Sequence, residues 1–90
     1  MKLQRERVNF ETAPEVKREI LAALEAGDAV IDLSALRHAD SAMLSILLSA
    51  IRRAKKRGLT LVVRGMPAEL SALAALYNVA QFIPVEAADA

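Results

Sequence analysis

Short apolar runs rich in β-branched residues alternate along this chain with amphipathic runs of helical length, and that alternation restricts the folds open to it. Ala29-Val30-Ile31-Asp32-Leu33 and Leu59-Thr60-Leu61-Val62-Val63-Arg64 read as strands. Between them, Ser41 to Arg57 carries apolar residues at helical spacing and stops at Gly58. Upstream, Arg7-Val8-Asn9-Phe10 alternates polar with apolar, as a half-buried strand does. Thr12, Pro14 and Glu15 then form a helix start of the capping-box type, Val16, Ile20, Ala23 and Leu24 supply its apolar stripe, and Gly27 ends it. Downstream, Gly65-Met66-Pro67 is a turn leading into a helix over 68–77, with Leu70, Leu73, Ala74 and Tyr77 on one face and Asn78 as its stop. Residues 79–85 form a short edge strand or a loop. The pattern predicts an α/β fold: a small, mostly parallel or mixed β-sheet with about three α-helices packed against it. The near-continuous apolar character of 29–33 predicts a central strand covered on both faces.

Ninety residues hold one core, so a single domain is expected over 1–90, with its core at about 7–84 and a flexible tail at 85–90. Aromatic residues make up only 3% of a chain that is 54% hydrophobic, so that core must be aliphatic. Twelve basic residues against eleven acidic ones give a net charge of +1, which favours neither nucleic acid nor an acidic substrate. With no cysteine, disulfides, thiolate metal sites and cysteine nucleophiles are all excluded. The N-terminus is charged where an export signal needs an apolar segment, and the apolar stretch Ala42–Ile51 is broken by Ser45 and Ser49. A soluble cytoplasmic protein is expected. Its mean hydropathy of +0.28 points to apolar surface kept for a partner.

Chemistry-bearing residues concentrate in Arg37-His38-Ala39-Asp40-Ser41-Ala42-Met43-Leu44. Asp40 and Ser41 sit where a helix begins and its first N–H groups lack partners. They can serve as ordinary caps, and a phosphate on Ser41 would also be tolerated there. In the helix that follows, Leu44, Leu47, Leu48 and Ile51 form the stripe expected to face the sheet. Met43, Ile46 and Ala50 widen the apolar arc beyond what one sheet requires. Either a neighbouring helix covers that flank, or Met43 and Ile46 belong to a docking surface beside Ser41.

His38, Ser41 and Asp32 could be drawn as a hydrolytic triad, but no G-x-S-x-G elbow surrounds the serine. The three glycines are isolated, so no phosphate-cradling loop is present, and no ligand cluster suggests a metal. No cofactor is expected. Arg52, Arg53, Lys55, Lys56 and Arg57 form a basic helix end that complements the helix dipole and reads as a solvated face. These residues point to recognition.

The runs Val30-Ile31-Asp32-Leu33-Ser34 and Ala39-Asp40-Ser41-Ala42-Met43-Leu44 resemble the signature of STAS domains, the fold of anti-sigma factor antagonists. With Asn9-Phe10-Glu11-Thr12, Arg52-Arg53-Ala54, Met66-Pro67-Ala68-Glu69-Leu70 and Leu73-Ala74-Ala75-Leu76-Tyr77-Asn78, the chain is most similar to MlaB-like subunits of phospholipid-transport ABC complexes. The resemblance implies a domain without catalysis of its own that binds the transporter's cytoplasmic ATPase, reaching the inner face of the membrane only through that complex. The partner-binding residues it implies are His38, Asp40, Ser41, Ala42, Met43 and Ile46. Its alternative is an anti-sigma factor antagonist switched by phosphorylation of Ser41 by a partner kinase. Met43 stands where a glycine usually follows the serine by two positions, which leaves a partner less room. The short N-terminus also leaves little chain for an extra first strand, so an exposed sheet edge is expected to pair with a second copy.

Overall fold

The computed structural model describes residues 1–86. Its elements are β1 (Arg7–Val8), α1 (Ala13–Glu25), β2 (Val30–Asp32), β3 (His38–Ala39), α2 (Ser41–Lys56), β4 (Val62–Arg64), α3 (Ala68–Leu76) and a 3₁₀ turn over Ala80–Phe82. All three helices end the same way. Asp28 N donates to Ala23 O, Leu59 N to Ala54 O and Val79 N to Ala74 O, each closing a Schellman turn around a left-handed residue. That residue is Gly27, Gly58 or Asn78. Leu59 is thus consumed by the α2 terminus, one reason β4 is shorter than its β-branched run.

The start of α1 departs from the expected capping box. Thr12 makes no side-chain capping bond to its helix. Asn9 instead folds the chain into a turn, its Oδ1 accepting from Glu11 N at 2.9 Å and Thr12 N at 3.1 Å. This turn ends β1 at Val8 and turns Phe10 outward, leaving it 71% exposed.

All the described strand pairings are parallel. β2 pairs with β4 (Val30↔Val62, Ile31↔Val63, Asp32↔Arg64) and β1 with β3 (Arg7↔His38, Val8↔Ala39). Isolated bridges add Lys2 beside Asp32 and Val85 beside Val63. Four segments therefore lie side by side in chain order, and the right-handed rule for parallel crossovers puts the helices that join them on one face. Burial alternates accordingly: Ile31, Leu33, Leu61 and Val63 are buried, while Val30, Asp32 and Val62 are only half-buried and Arg64 is exposed. The expectation that β2 is covered on both faces is corrected. Its apolar run continues into Leu33 and Leu36 of the β2–β3 connection, both in the core.

The margin expected to be open beside β2 is filled, and the edge of the sheet moves outward to residues 1–3. Residues 1–3 supply the strand the short N-terminus seemed to lack, with Leu3 N donating to Asp32 O at 3.0 Å and Asp32 N to Met1 O at 2.9 Å. At the opposite margin Val63 N donates to Pro84 O and Glu86 N to Val63 O. Val85 and Glu86 thus extend the sheet rather than beginning a tail, and residues 87–90 lie outside the described residues.

α2 lies between α1 and α3, and this position settles its wide apolar arc. Met43 (0% exposed), Ile46 (4%) and Ala42 (7%) are buried. A neighbouring helix does cover the flank, and these three residues are corrected from docking surface to interior. The buried face runs through Met43, Leu47, Ala50 and Ala54, with Leu44 and Ile46 beside it, whereas Leu48 and Ile51 stand at its margin. Tyr77 is likewise corrected: it is 55% exposed rather than on the core face of α3.

Asp32 caps its own turn by accepting from Ser34 N at 2.8 Å. The Ser34 backbone N–H, its hydroxyl, Lys2 and Arg64 together hold this carboxyl below the ordinary aspartate range. A depressed folded-state pKa adds stability that is fully present above the unfolded value of about 4 and is lost as pH falls through the folded value. Asp32→Asn should therefore lower the melting temperature at neutral and alkaline pH and leave it nearly unchanged in strong acid, so that the acid side of the profile flattens. Met43→Ala should cost about 2–5 kcal/mol in denaturant unfolding, as for a large core residue. An exposed docking methionine would cost less than about 0.5 kcal/mol.

Candidate docking groove at the start of the middle helix

A groove of about 690 Å³ opens where the β1–β3 pair, the first residues of α2 and the outer side of α3 converge. Val8 and Ala39, buried cross-strand partners, give it an apolar floor. Asn9, Asp40 and Ser41 line it on one side, and Glu69, Leu73, Leu76 and Tyr77 of the α3 segment on the other. Leu76 is 74% exposed, so the groove opens beside the apolar side chains that the core leaves out.

Asp40 and Ser41 divide their roles. Asp40, in extended conformation, is the N-cap, and its Oδ1 accepts from Ala42 N at 2.9 Å. Ser41 is the first helical residue, half-buried, and among the described residues no hydrogen bond engages its Oγ. With the cap already supplied, the serine hydroxyl is free to meet another molecule. The positive end of the α2 dipole lies beneath it.

His38 is exposed, and its Nδ1 lies 3.6 Å from Glu69 Oε2, close enough for an ion pair when the ring is protonated but too far for a hydrogen bond. Arg7 also lines the groove. Asp32 does not join His38 and Ser41 there. It stands on the open face of the sheet, bonded to Ser34, so the three residues of the notional triad are not assembled.

Of the partner-binding residues expected from sequence, the structure brings His38, Asp40 and Ser41 together at the groove and places Ala42, Met43 and Ile46 beneath the surface. Met43 points into the core and so does not narrow the approach to Ser41 as its replacement of a glycine suggested. Sequence reasoning missed Leu76 and Tyr77 as surface residues because α3, Ala68–Leu76, is so uniformly apolar that periodicity cannot select a face. It missed Phe10 because Asn9 and Thr12 read as strand and cap, although Asn-x-x-Thr is also a turn signal.

The fold is a two-layer α/β domain with a groove at the start of its middle helix. Residues 5–84 match the family model described as MlaB, STAS domain, and the chain belongs to that family. STAS domains are regulatory modules that interact with partner proteins such as kinases or ATPases. Among solved structures, the chain is similar to a candidate anti-sigma factor antagonist from Thermotoga maritima. That likeness has a TM-score of 0.77 at 18% identity, over 97% of this chain and 78% of the other. Comparison with curated protein sequences gives no match. Among the described residues no helix is long and apolar enough to cross a membrane, and no cluster of three or more His, Asp or Glu could hold a metal ion.

Asp40→Ala should cost about 1 kcal/mol of stability through loss of the cap, whereas Ser41→Ala should change stability by less than about 0.5 kcal/mol. Parallel urea titrations of the two variants measure the difference.

Proposed function

We propose that this protein is a non-catalytic assembly and regulatory subunit that docks on the cytoplasmic ATPase of a phospholipid-transport (Mla-type) ABC transporter. Its place would be the inner face of the membrane, held there by the complex. The observation that carries this reading is the unbonded Ser41 hydroxyl facing a groove rimmed by exposed Leu76 and Tyr77, in a chain that belongs to the MlaB, STAS family. Exposed apolar and aromatic side chains around a small polar centre suit an interface whose binding energy rests on a few anchors.

A second reading has a specific observation behind it. The Thermotoga maritima protein is described as a candidate anti-sigma factor antagonist, and Ser41 stands free at a helix N-terminus where a phosphate is well placed. In that case the partner is an anti-sigma kinase, and phosphorylation of Ser41 releases it.

Capture experiments with the intact chain from its native cell should recover an ABC ATPase. Ser41→Glu and Tyr77→Ala should each weaken that complex roughly 30-fold or more, since each removes or charges an anchor worth about 2 kcal/mol. Lys17→Ala, on α1 away from the groove, should leave affinity within about twofold. Recovery of a kinase, with a phosphate mass added to the native chain but not to Ser41→Ala, favours the second reading. Recovery of neither partner contradicts both.

A further inference from the structure

The sheet face turned away from the helices carries a feature that shares no residue with the groove. Strand register aligns four charged side chains in one row across the four parallel segments. Lys2 lies opposite Asp32, Asp32 opposite Arg64, and Glu86 next to Arg64, to which its carboxylate is bonded. Along the row the signs alternate plus, minus, plus, minus. With neighbouring segments about 4.8 Å apart, the row is about 14 Å long. Beside it runs a short apolar row, in which half-buried Val30 is the partner of half-buried Val62 and exposed Pro84 follows.

We propose that this open face binds a second copy of this chain, about a two-fold axis that runs parallel to the strands between β2 and β4. Such an axis reverses the order of the segments from one copy to the other. Lys2 then faces Glu86 of the other copy, Asp32 faces Arg64, and Val30 faces Val62. Every charge in the row meets its opposite. A two-fold axis across the strands would instead set Lys2 on Lys2 and Asp32 on Asp32, so the charges select one orientation. The alternating row is its own complement only in the first arrangement. The cleft between α1 and α2 has no such property, because Lys17, Arg52, Arg53 and Lys56 line it with one sign and would repel a copy.

The face is small, with few apolar side chains, so association belongs to the weak class held largely by charge and weakened by salt. This contact through the face is distinct from the edge pairing expected from the short N-terminus, which would run through the backbone of residues 1–3 and would not be rescued by exchanged charges.

Sedimentation equilibrium of the full chain tests the inference. At about 1 mM protein in low salt, the mass should rise from 9.7 kDa towards twice that value, and about 0.5 M salt should restore the monomer. Lys2→Glu and Glu86→Lys should each weaken self-association about tenfold or more, since each places like charges opposite one another twice per dimer. An equimolar mixture of the two variants should associate as the native chain does, because each reversed charge then meets an opposite one on the other copy. A purely intramolecular role for the row would give no such rescue. A native chain that stays monomeric throughout, or a mixture that does not recover association, overturns the proposal.

Discussion

The burial of α2 on three sides is the constraint from which the rest of the structure follows. α1 packs on one flank and α3 on the other, and the buried face of α2 shares one core with Ile31 and Val63 of the sheet. A helix in that position needs an apolar arc wide enough for three neighbours, which is why Met43, Leu44, Ile46, Leu47, Ala50 and Ala54 are all interior. The alanines keep the surface low enough for close helix approach. What the core leaves available is Ser41 at the helix start and a narrow outer strip along the helix. Asp40 satisfies an N–H of the first turn, and Ser41 is left with a hydroxyl that the fold does not use.

The one-sided sheet is the second consequence. Because successive segments step in one direction, all the helices share one face, and the open face is left with half-buried valines and a row of alternating charges. Exposed ion pairs of this kind contribute little to stability individually. The same holds where Glu25 joins Arg53 and Arg57 across the ends of α1 and α2. Stability rests on the aliphatic interior, which among the described residues holds no buried polar or charged side chain.

Much of the fold was legible because the sequence marks its own punctuation. Gly27, Gly58 and Asn78 end their helices as expected, each in the left-handed conformation that Gly and Asn tolerate best. The strands around Ile31 and Val63 declared themselves by β-branched runs. Three features escaped for physical reasons. Residues 1–3 pair through too few hydrogen bonds to leave a pattern. Periodicity reported how wide the apolar arc of α2 is, but not whether a helix or a partner covers it. α3 offered too little polarity for Leu76 and Tyr77 to be assigned a side. Within the site, the Asp-Ser pair was visible as a helix start. Which of the two caps and which stays free depends on the extended backbone at Asp40, which is a matter of geometry.

The interior and the proposed docking surface therefore meet at a single residue boundary, between Ser41 and the buried Ala42. Amide hydrogen exchange of the chain, free and bound to the proposed ATPase partner, tests that division most directly. Added protection should fall on residues 38–41 and 72–77, with α1 and β4 unchanged. Protection centred on the α1–α2 face, with the groove exchanging as in the free protein, would contradict the account.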